Sequence, residues 1–444
     1  MVRTGLSAVF GFAAMLSTAA LAEHEPTGLE TLLKGTDLTP ALSGLQISLL
    51  KNGKATKSYA LGFAQITAAG KEPLRRDHKT RIASISKLVV ALGIMQLVEA
   101  GKLDLDGDVS DYLGWELRNP AFPEFPITTR QLLAHTSSIR DGSAYFMAAG
   151  TGELRDFFKE ESPYWEKGDH FARSPGQEPG RFFTYANLNF GLLGAIIELL
   201  SEERFDQYMA KNVLEPMGLS AGFDPCKIPP GQRAAAFRKG EEAGNWSEGS
   251  DWLAQVDGAE PKCFYGAGDA TFNDAFLADY ALGSNATIYS PQGGLRASAD
   301  DLVVVLEMLV NGGVVKGQRI LSPESVETML APQWTLNAEK SNGLSAGEAE
   351  PGGPTDGLMT SYGLSVHRIN MSDWGFPDGP ELLVGHLGEA YGVLSHALIN
   401  PETGDGIATI ITGTARDPAD SPPGSSPLYR VEEEILRWWL EQKD

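Results

Sequence analysis

Cationic side chains are scarce in this chain of 444 residues. Lys and Arg number 36 against 58 Asp and Glu, a formal net charge of −22. Such a surface repels phosphate backbones, which excludes a sequence-independent nucleic-acid binder. Cysteine is nearly absent, with only Cys226 and Cys263, so this is no disulfide-built miniprotein. The seven histidines are scattered, with no H-x-H, H-E-x-x-H or C-x-x-C. That argues against a zinc site, and no cofactor or metal is expected. After the N-terminal segment no stretch reaches the ~18 uncharged apolar residues of a membrane helix, so no stable membrane anchor is expected. Internal repeats and an alternating βαβ pattern are also missing. What is present is 42% hydrophobic and 21% charged sequence, enough for one large domain or two interlocked lobes and not for a disordered chain.

The chain opens Met-Val-Arg, runs apolar from Leu6 to Ala20, and exits through Ala20-Leu21-Ala22 before the polar Glu23-His24-Glu25. A positive start, a short apolar stretch and a small-x-small exit describe a secretory signal peptide over residues 1–22, ahead of a domain at 23–444. The expected destination is export, periplasmic or secreted. In an oxidising compartment Cys226 and Cys263 would close a disulfide, with two free thiols as the alternative.

Leu45–Leu50 and Ser58–Ile66 read as two strands joined at Lys51-Asn52-Gly53-Lys54. Ser86–Glu99 and Asn187–Leu200 read as helices apolar nearly all round, hence buried. Residues 127–134, Ala299–Val310, Ser322–Leu330 and Pro427–Gln442 read as further helices. Gly392–Ile399 and Gly406–Thr412 flank a longer turn. Residues 140–180 look loop-rich, 222–280 look like an aperiodic excursion on the rim of a site, and 337–358 look like a flexible loop. Strands therefore lie at both ends and helices between them. The expected class is α/β (α+β): an antiparallel sheet built from both chain ends, flanked by helices, with an inserted helical lobe at roughly 105–300.

Three motifs could carry chemistry. In Ser84-Ile85-Ser86-Lys87 a serine and a lysine three apart share one face of a helix start. A desolvated Lys can take the proton of a serine hydroxyl, and the helix N–H groups favour an oxyanion. Taken alone, Ser84 reads equally well as an N-cap. Ser48-Leu49-Leu50-Lys51 repeats the spacing in a strand, where it puts the two side chains on opposite faces. Tyr185-Ala186-Asn187 is the only Tyr-x-Asn among twelve tyrosines. Near a Lys⁺ its phenol can pass protons, although a packed Tyr and a capping Asn fit as well. Gly385-His386-Leu387-Gly388 sets a histidine between glycines, as the edge-strand wall of a site or as a structural histidine. Gly218-Leu219-Ser220-Ala221-Gly222 and Gly343-Leu344-Ser345-Ala346-Gly347 match G-x-S-x-G but lack the strand–turn–helix setting it needs.

Together the three motifs resemble the serine β-lactamase and penicillin-binding-protein superfamily. The similarity is to the branch around class C β-lactamases, D-stereospecific peptidases and family VIII carboxylesterases, whose order is Ser-x-x-Lys, Tyr-x-Asn, then Lys-Thr-Gly or His-x-Gly. Residues 128–137, Pro291–Arg296 and Tyr362-Gly363-Leu364 add to the likeness. The resemblance implies acyl transfer in which Ser84 is acylated and Lys87 and Tyr185 share the acid and base work. It implies that Asn187 orients substrate, that His386 lines the site on the edge strand, and that the N–H groups of Ser84 and of Glu389, after Gly388, form an oxyanion hole. His386 and Leu387 stand where Lys-Thr would hold a penicillin carboxylate, which shifts the expectation toward a small ester, amide or peptide substrate. The alternatives are a true β-lactamase or D,D-/D-amino-peptidase, and a catalytically silent binder of cell-wall peptides or of a protein. Oligomeric state does not follow from the sequence.

Overall fold

Residues 28–259, 277–347 and 356–442 are described by the structure, a computed structural model. The expected signal peptide at 1–22 and Cys263 lie outside them. Cys226 is disulfide-bonded, and Cys263 is the chain's one other cysteine.

The strands that matter here are β1 (Gly44–Lys51), β2 (Lys54–Thr67), β3 (Gly70–Pro73), β4 (Ala236–Lys239), β5 (Trp252–Val256), β6 (Trp334–Thr335), β7 (Ser361–Tyr362), β8 (His367–Ile369), β9 (Leu383–Ala390), β10 (Val393–Ile399), β11 (Gly406–Ile411) and β12 (Gly413–Thr414). Nine of them form one antiparallel sheet in the order β6-β7-β8-β9-β10-β11-β1-β2-β3. The two chain ends meet where β1 pairs with β11, Leu45 opposite Ile411 and Leu50 opposite Gly406. The first hairpin turns where expected: Asn52 and Gly53 both have positive φ, 50° and 72°. That is the two-residue geometry matching strand twist, and Asn-Gly adopts it at little cost.

Period-2 alternation gives the sheet two apolar faces, each with its own core. Ala397, Ile399, Ala408 and Ile410 face a cluster with α1 (Ile85–Glu99), α2 (Leu188–Ser201) and α3 (Ala299–Val310). Leu394, Leu398, Ile407 and Ile411 face Val431, Ile435 and Trp438 of α4 (Arg430–Glu441). Every residue from Ile85 to Met95 is buried, as an all-round apolar helix requires. Truncating Leu88 to Ala would therefore cost roughly 2–5 kcal/mol. Among the described residues no helix is long and apolar enough to cross a membrane, and no cluster of His, Cys, Asp or Glu is arranged to hold a metal.

Three expectations need correction. The His386 strand, β9, is not at the edge: β8, β7 and β6 continue the sheet beyond it. Those strands are two or three residues long, too short to show a period. The 222–280 excursion contains two strands, β4 and β5, which form a second sheet with β12. The loop at 337–358 is tied down in its described part. Phe183 N donates to Asn342 O (3.0 Å), Leu344 N to Phe183 O (3.0 Å) and Met359 N to Ser345 O (2.8 Å).

Candidate active site

Ser84 stands where the chain leaves the short strand Thr80–Arg81 and enters α1. Ala83 makes that corner with φ 48°, which turns Ser84 outward while its neighbours stay buried. Ser84 occupies the N-cap position, but its hydroxyl caps nothing. It accepts instead from Lys87 Nζ at 2.9 Å. Ser86, the other serine of the motif, is structural. Its hydroxyl donates to Ala83 O (2.7 Å) and accepts from Leu295 N (3.0 Å), fixing the helix start to the Pro291–Arg296 segment.

Lys87 has no exposed surface. Burying an ammonium is costly unless its N–H groups are bonded. Here Nζ also donates to Asn187 Oδ1 (2.8 Å) and to the Gln292 carbonyl (2.8 Å), and it lies 4.7 Å from the centre of the Tyr185 ring. Ser84, Lys87, Tyr185 and Asn187, from two segments a hundred residues apart, thus meet around one nitrogen.

The Tyr185–Asn187 turn has its own scaffold. Thr128 and Gln131 form a capping box that starts the helix Thr129–Leu133. It delivers His135, which has a positive φ of 56°. The His135 ring stacks on Tyr185, with centroids 4.3 Å apart, and its Nδ1 accepts from Ala186 N at 3.1 Å. Burial, with the Lys87 charge nearby, holds this imidazole well below its usual pKa, so it stays neutral. Asn187 is the N-cap residue of α2 but does not cap it. Asp141 does, accepting from Leu188 N (2.8 Å) and from Asn187 Nδ2 (2.9 Å), so that Asn187 Oδ1 faces Lys87. Asp141 was missed in the sequence because nothing in the aperiodic 140–180 segment marks it.

On the opposite wall β9 passes so close to Ser84 that only glycine fits at 388. A Cβ there would lie 2.6 Å from Ile82 O, 2.5 Å from Ser395 Oγ and 3.1 Å from Ser84 N. The next residue, Glu389, lines the cleft, and its exposed carboxylate accepts from Tyr429 Oη (3.1 Å). His386 does not line the cleft as expected. It is fully buried, donates from Nδ1 to Leu387 O (2.6 Å), and accepts at Nε2 from Tyr362 Oη (2.8 Å). That pair of contacts fixes the tautomer. Burial, helped by His367 and Lys87 nearby, keeps His386 well below its usual pKa, and burial lowers His367 to about 3. A period-2 strand puts alternate residues on opposite faces, so Leu387 and not His386 reaches the cavity, with His367 from β8 beside it.

Two lobes meet at Ser84, of about 370 and 400 Å³, the size of small-molecule sites. The first is walled by Tyr185, Leu358, Met359, Leu387, Leu428 and Glu432, the second by Asn187, Gln292, Tyr145 and Arg81, and Arg238 and Glu389 line both. Ala346 and Gly347 from the second G-x-S-x-G also wall the first lobe, while Ser345 turns its hydroxyl to Asp356. Another hollow of about 410 Å³, between Leu49, Thr56, Asn400 and Trp439, holds none of these groups.

A family model described as Beta-lactamase matches residues 29–424. The chain belongs to that family. Among its curated relatives, Protein flp of Staphylococcus aureus (strain N315) is 29% identical over 181 residues, 40% of this chain. The match spans about a third of that relative's length, 34%. The N-acetylmuramyl-L-alanine amidase of Bacillus subtilis (strain 168) is 22% identical over 332 residues, 69% of each chain. Among solved structures, the D-amino acid amidase of Ochrobactrum anthropi SV3 superposes with a TM-score of 0.60 at 21% identity, covering 90% of this chain and 93% of that one. The penicillin binding protein of Bacillus halodurans gives 0.58 at 20% identity, covering 93% and 99%. The fold is that of the β-lactamases and transpeptidases, a mixed α/β architecture around a large antiparallel sheet.

Proposed function

We propose that the protein is an exported serine hydrolase that cleaves a small ester or amide through an acyl-enzyme. The observation that carries this reading is the position of Lys87 Nζ, 2.9 Å from Ser84 Oγ and held by Asn187 and Gln292. A serine hydroxyl becomes a nucleophile when a neighbour takes its proton. In the first half-reaction Ser84 Oγ forms a bond to the substrate carbonyl carbon, and its proton passes to the Lys87–Tyr185 pair. Negative charge builds on the carbonyl oxygen, within reach of the N–H groups of Ser84 and Glu389. The bond to the leaving group then breaks, and that group takes the proton back from Tyr185. Water repeats the sequence on the acyl carbon and releases Ser84.

The walls support this substrate class. His386 is neutral and buried, and Leu387 brings no hydroxyl, so neither supplies the cation and hydroxyl that would grip a penicillin carboxylate. The relatives named as amidases support the amide arm of the proposal, and the apolar start at Leu6–Ala20 supports export. A 4-nitrophenyl ester and a chromogenic cephalosporin, assayed side by side, separate the readings. The ester is expected to turn over far faster. A cephalosporin that turned over faster would make this a β-lactamase instead.

A further inference from the structure

The two lobes at Ser84 share Arg238 and Glu389 and differ in their other walls, and that difference sorts the two halves of a substrate. Of the two, only the first lobe is walled by Tyr185. The leaving group must meet its proton donor, so it lies there, against Leu358, Met359, Leu387 and Leu428. The acyl part then occupies the second lobe, beside Asn187, Gln292 and Arg238. Resting on the acyl-enzyme reading above, we propose that Arg238 is a specificity residue that binds a carboxylate carried by the acyl part of the substrate.

Arg238 is placed by rigid parts. It sits on β4, which is paired with β12 through Thr414. Its guanidinium lies 3.7 Å from the centre of the Trp246 indole, and that indole in turn donates to Thr414 Oγ1 at 3.1 Å. Nη1 donates to the Gly244 carbonyl, while Nε has no partner. Among the described residues no carboxylate lies within 4.0 Å of it. Asp417 and Glu389 act on it only through space, and Glu389 is engaged by the Tyr429 hydroxyl. A stacked guanidinium keeps its charge, and with Nη1 engaged by Gly244 and Nε buried, Nη2 is the donor left to meet a carboxylate. Arg81, over the Tyr391 ring at 5.1 Å, adds a second guanidinium to the same lobe. In a chain with 36 cations against 58 acids, the second lobe sets two guanidiniums, Arg81 and Arg238, against one carboxylate, Glu389, a local excess of positive charge.

The test compares 4-nitrophenyl pentanoate with mono-4-nitrophenyl glutarate, which share a leaving group and differ in the charge of the acyl part. The wild type is expected to favour the glutarate in kcat/KM by roughly tenfold or more, a preference that shrinks with added salt. Arg238→Met is expected to lower the glutarate value at least tenfold more than the pentanoate value, and Arg238→Lys to recover part of the preference. Melting curves confirm that both variants fold, and the salt dependence of the wild type is read without any variant. Equal kcat/KM for the two esters in the wild type, or a preference that survives Arg238→Met, overturns the proposal while leaving the acyl-enzyme reading intact. Failure of both esters and of a fluorophosphonate to acylate Ser84 overturns that reading and this one with it.

Discussion

Gly388→Ala perturbs the site by a single methyl group. The added Cβ would lie 2.6 Å from Ile82 O, 2.5 Å from Ser395 Oγ and 3.1 Å from Ser84 N. Ser395 Oγ can rotate away, although it would give up its bonds to Ile82 O and Gly388 O. The backbone carbonyl cannot rotate. Restoring an ordinary carbon–oxygen contact requires β9 and the Ser84 corner to part by about 0.8 Å. Overpacking of this kind costs about 1–3 kcal/mol of stability, so the variant is expected to fold with a lowered melting temperature. The effect on catalysis is larger. An oxyanion donor works within about 2.7–3.1 Å of the developing charge, and losing one costs roughly 100- to 1,000-fold in kcat. Hydrolysis of a 4-nitrophenyl ester, followed with thermal melting on the same preparation, is expected to show a kcat at least 100-fold down with KM changed little. A folded variant within threefold of wild-type kcat would refute both the placement of the oxyanion donors and the claim that β9 is held against the nucleophile.

Other outcomes follow from the same geometry. Lys87→Met is expected to lower kcat by on the order of 1,000-fold while the variant still folds, because general-base contributions run to roughly 100- to 10,000-fold; burst kinetics with near-normal acylation would count against Lys87. Asp141→Ala removes the acceptor that orients Asn187 and caps α2. We expect kcat down roughly tenfold and stability down about 1 kcal/mol, and wild-type kcat in the folded variant would contradict the positioning role. Burial raises the Glu198 carboxyl to about 7 from 4.5 in a site where Phe205 N, Tyr280 Oη and Gly283 N donate to it. The folded state holds this proton more tightly, so its contribution is full below pH 4.5 and fades as pH rises through 7, by about 3 kcal/mol in all. Denaturant titrations of Glu198→Gln against wild type are expected to differ by this slope between pH 5 and 7, and parallel curves would exclude it.

Much of this architecture is legible in the residues. The β1–β2 hairpin follows from Asn52-Gly53 between apolar runs, and the buried helices follow from apolar residues on every side of α1 and α2. Ser84, Lys87, Tyr185 and Asn187 stand out because motif spacing sets their order along the chain. Motif spacing does not say which way a strand's pleat falls, and so the cavity receives Leu387 and His367 where His386 was expected. Asp141, His135 and Arg238 act through contacts that span 46 residues or more or come from another sheet, and no local pattern carries such contacts. The strands β4 to β8 are short enough that their partners, not their own period, make them strands.

The central claim, that Ser84 is a nucleophile activated by Lys87, is tested most directly by intact-mass spectrometry after incubation with a fluorophosphonate. The expected result is one covalent adduct per chain in the wild type, mapped to Ser84 by peptide analysis, absent in Ser84→Ala and strongly slowed in Lys87→Met. An unmodified wild-type chain, or an adduct that persists in Ser84→Ala, would contradict it.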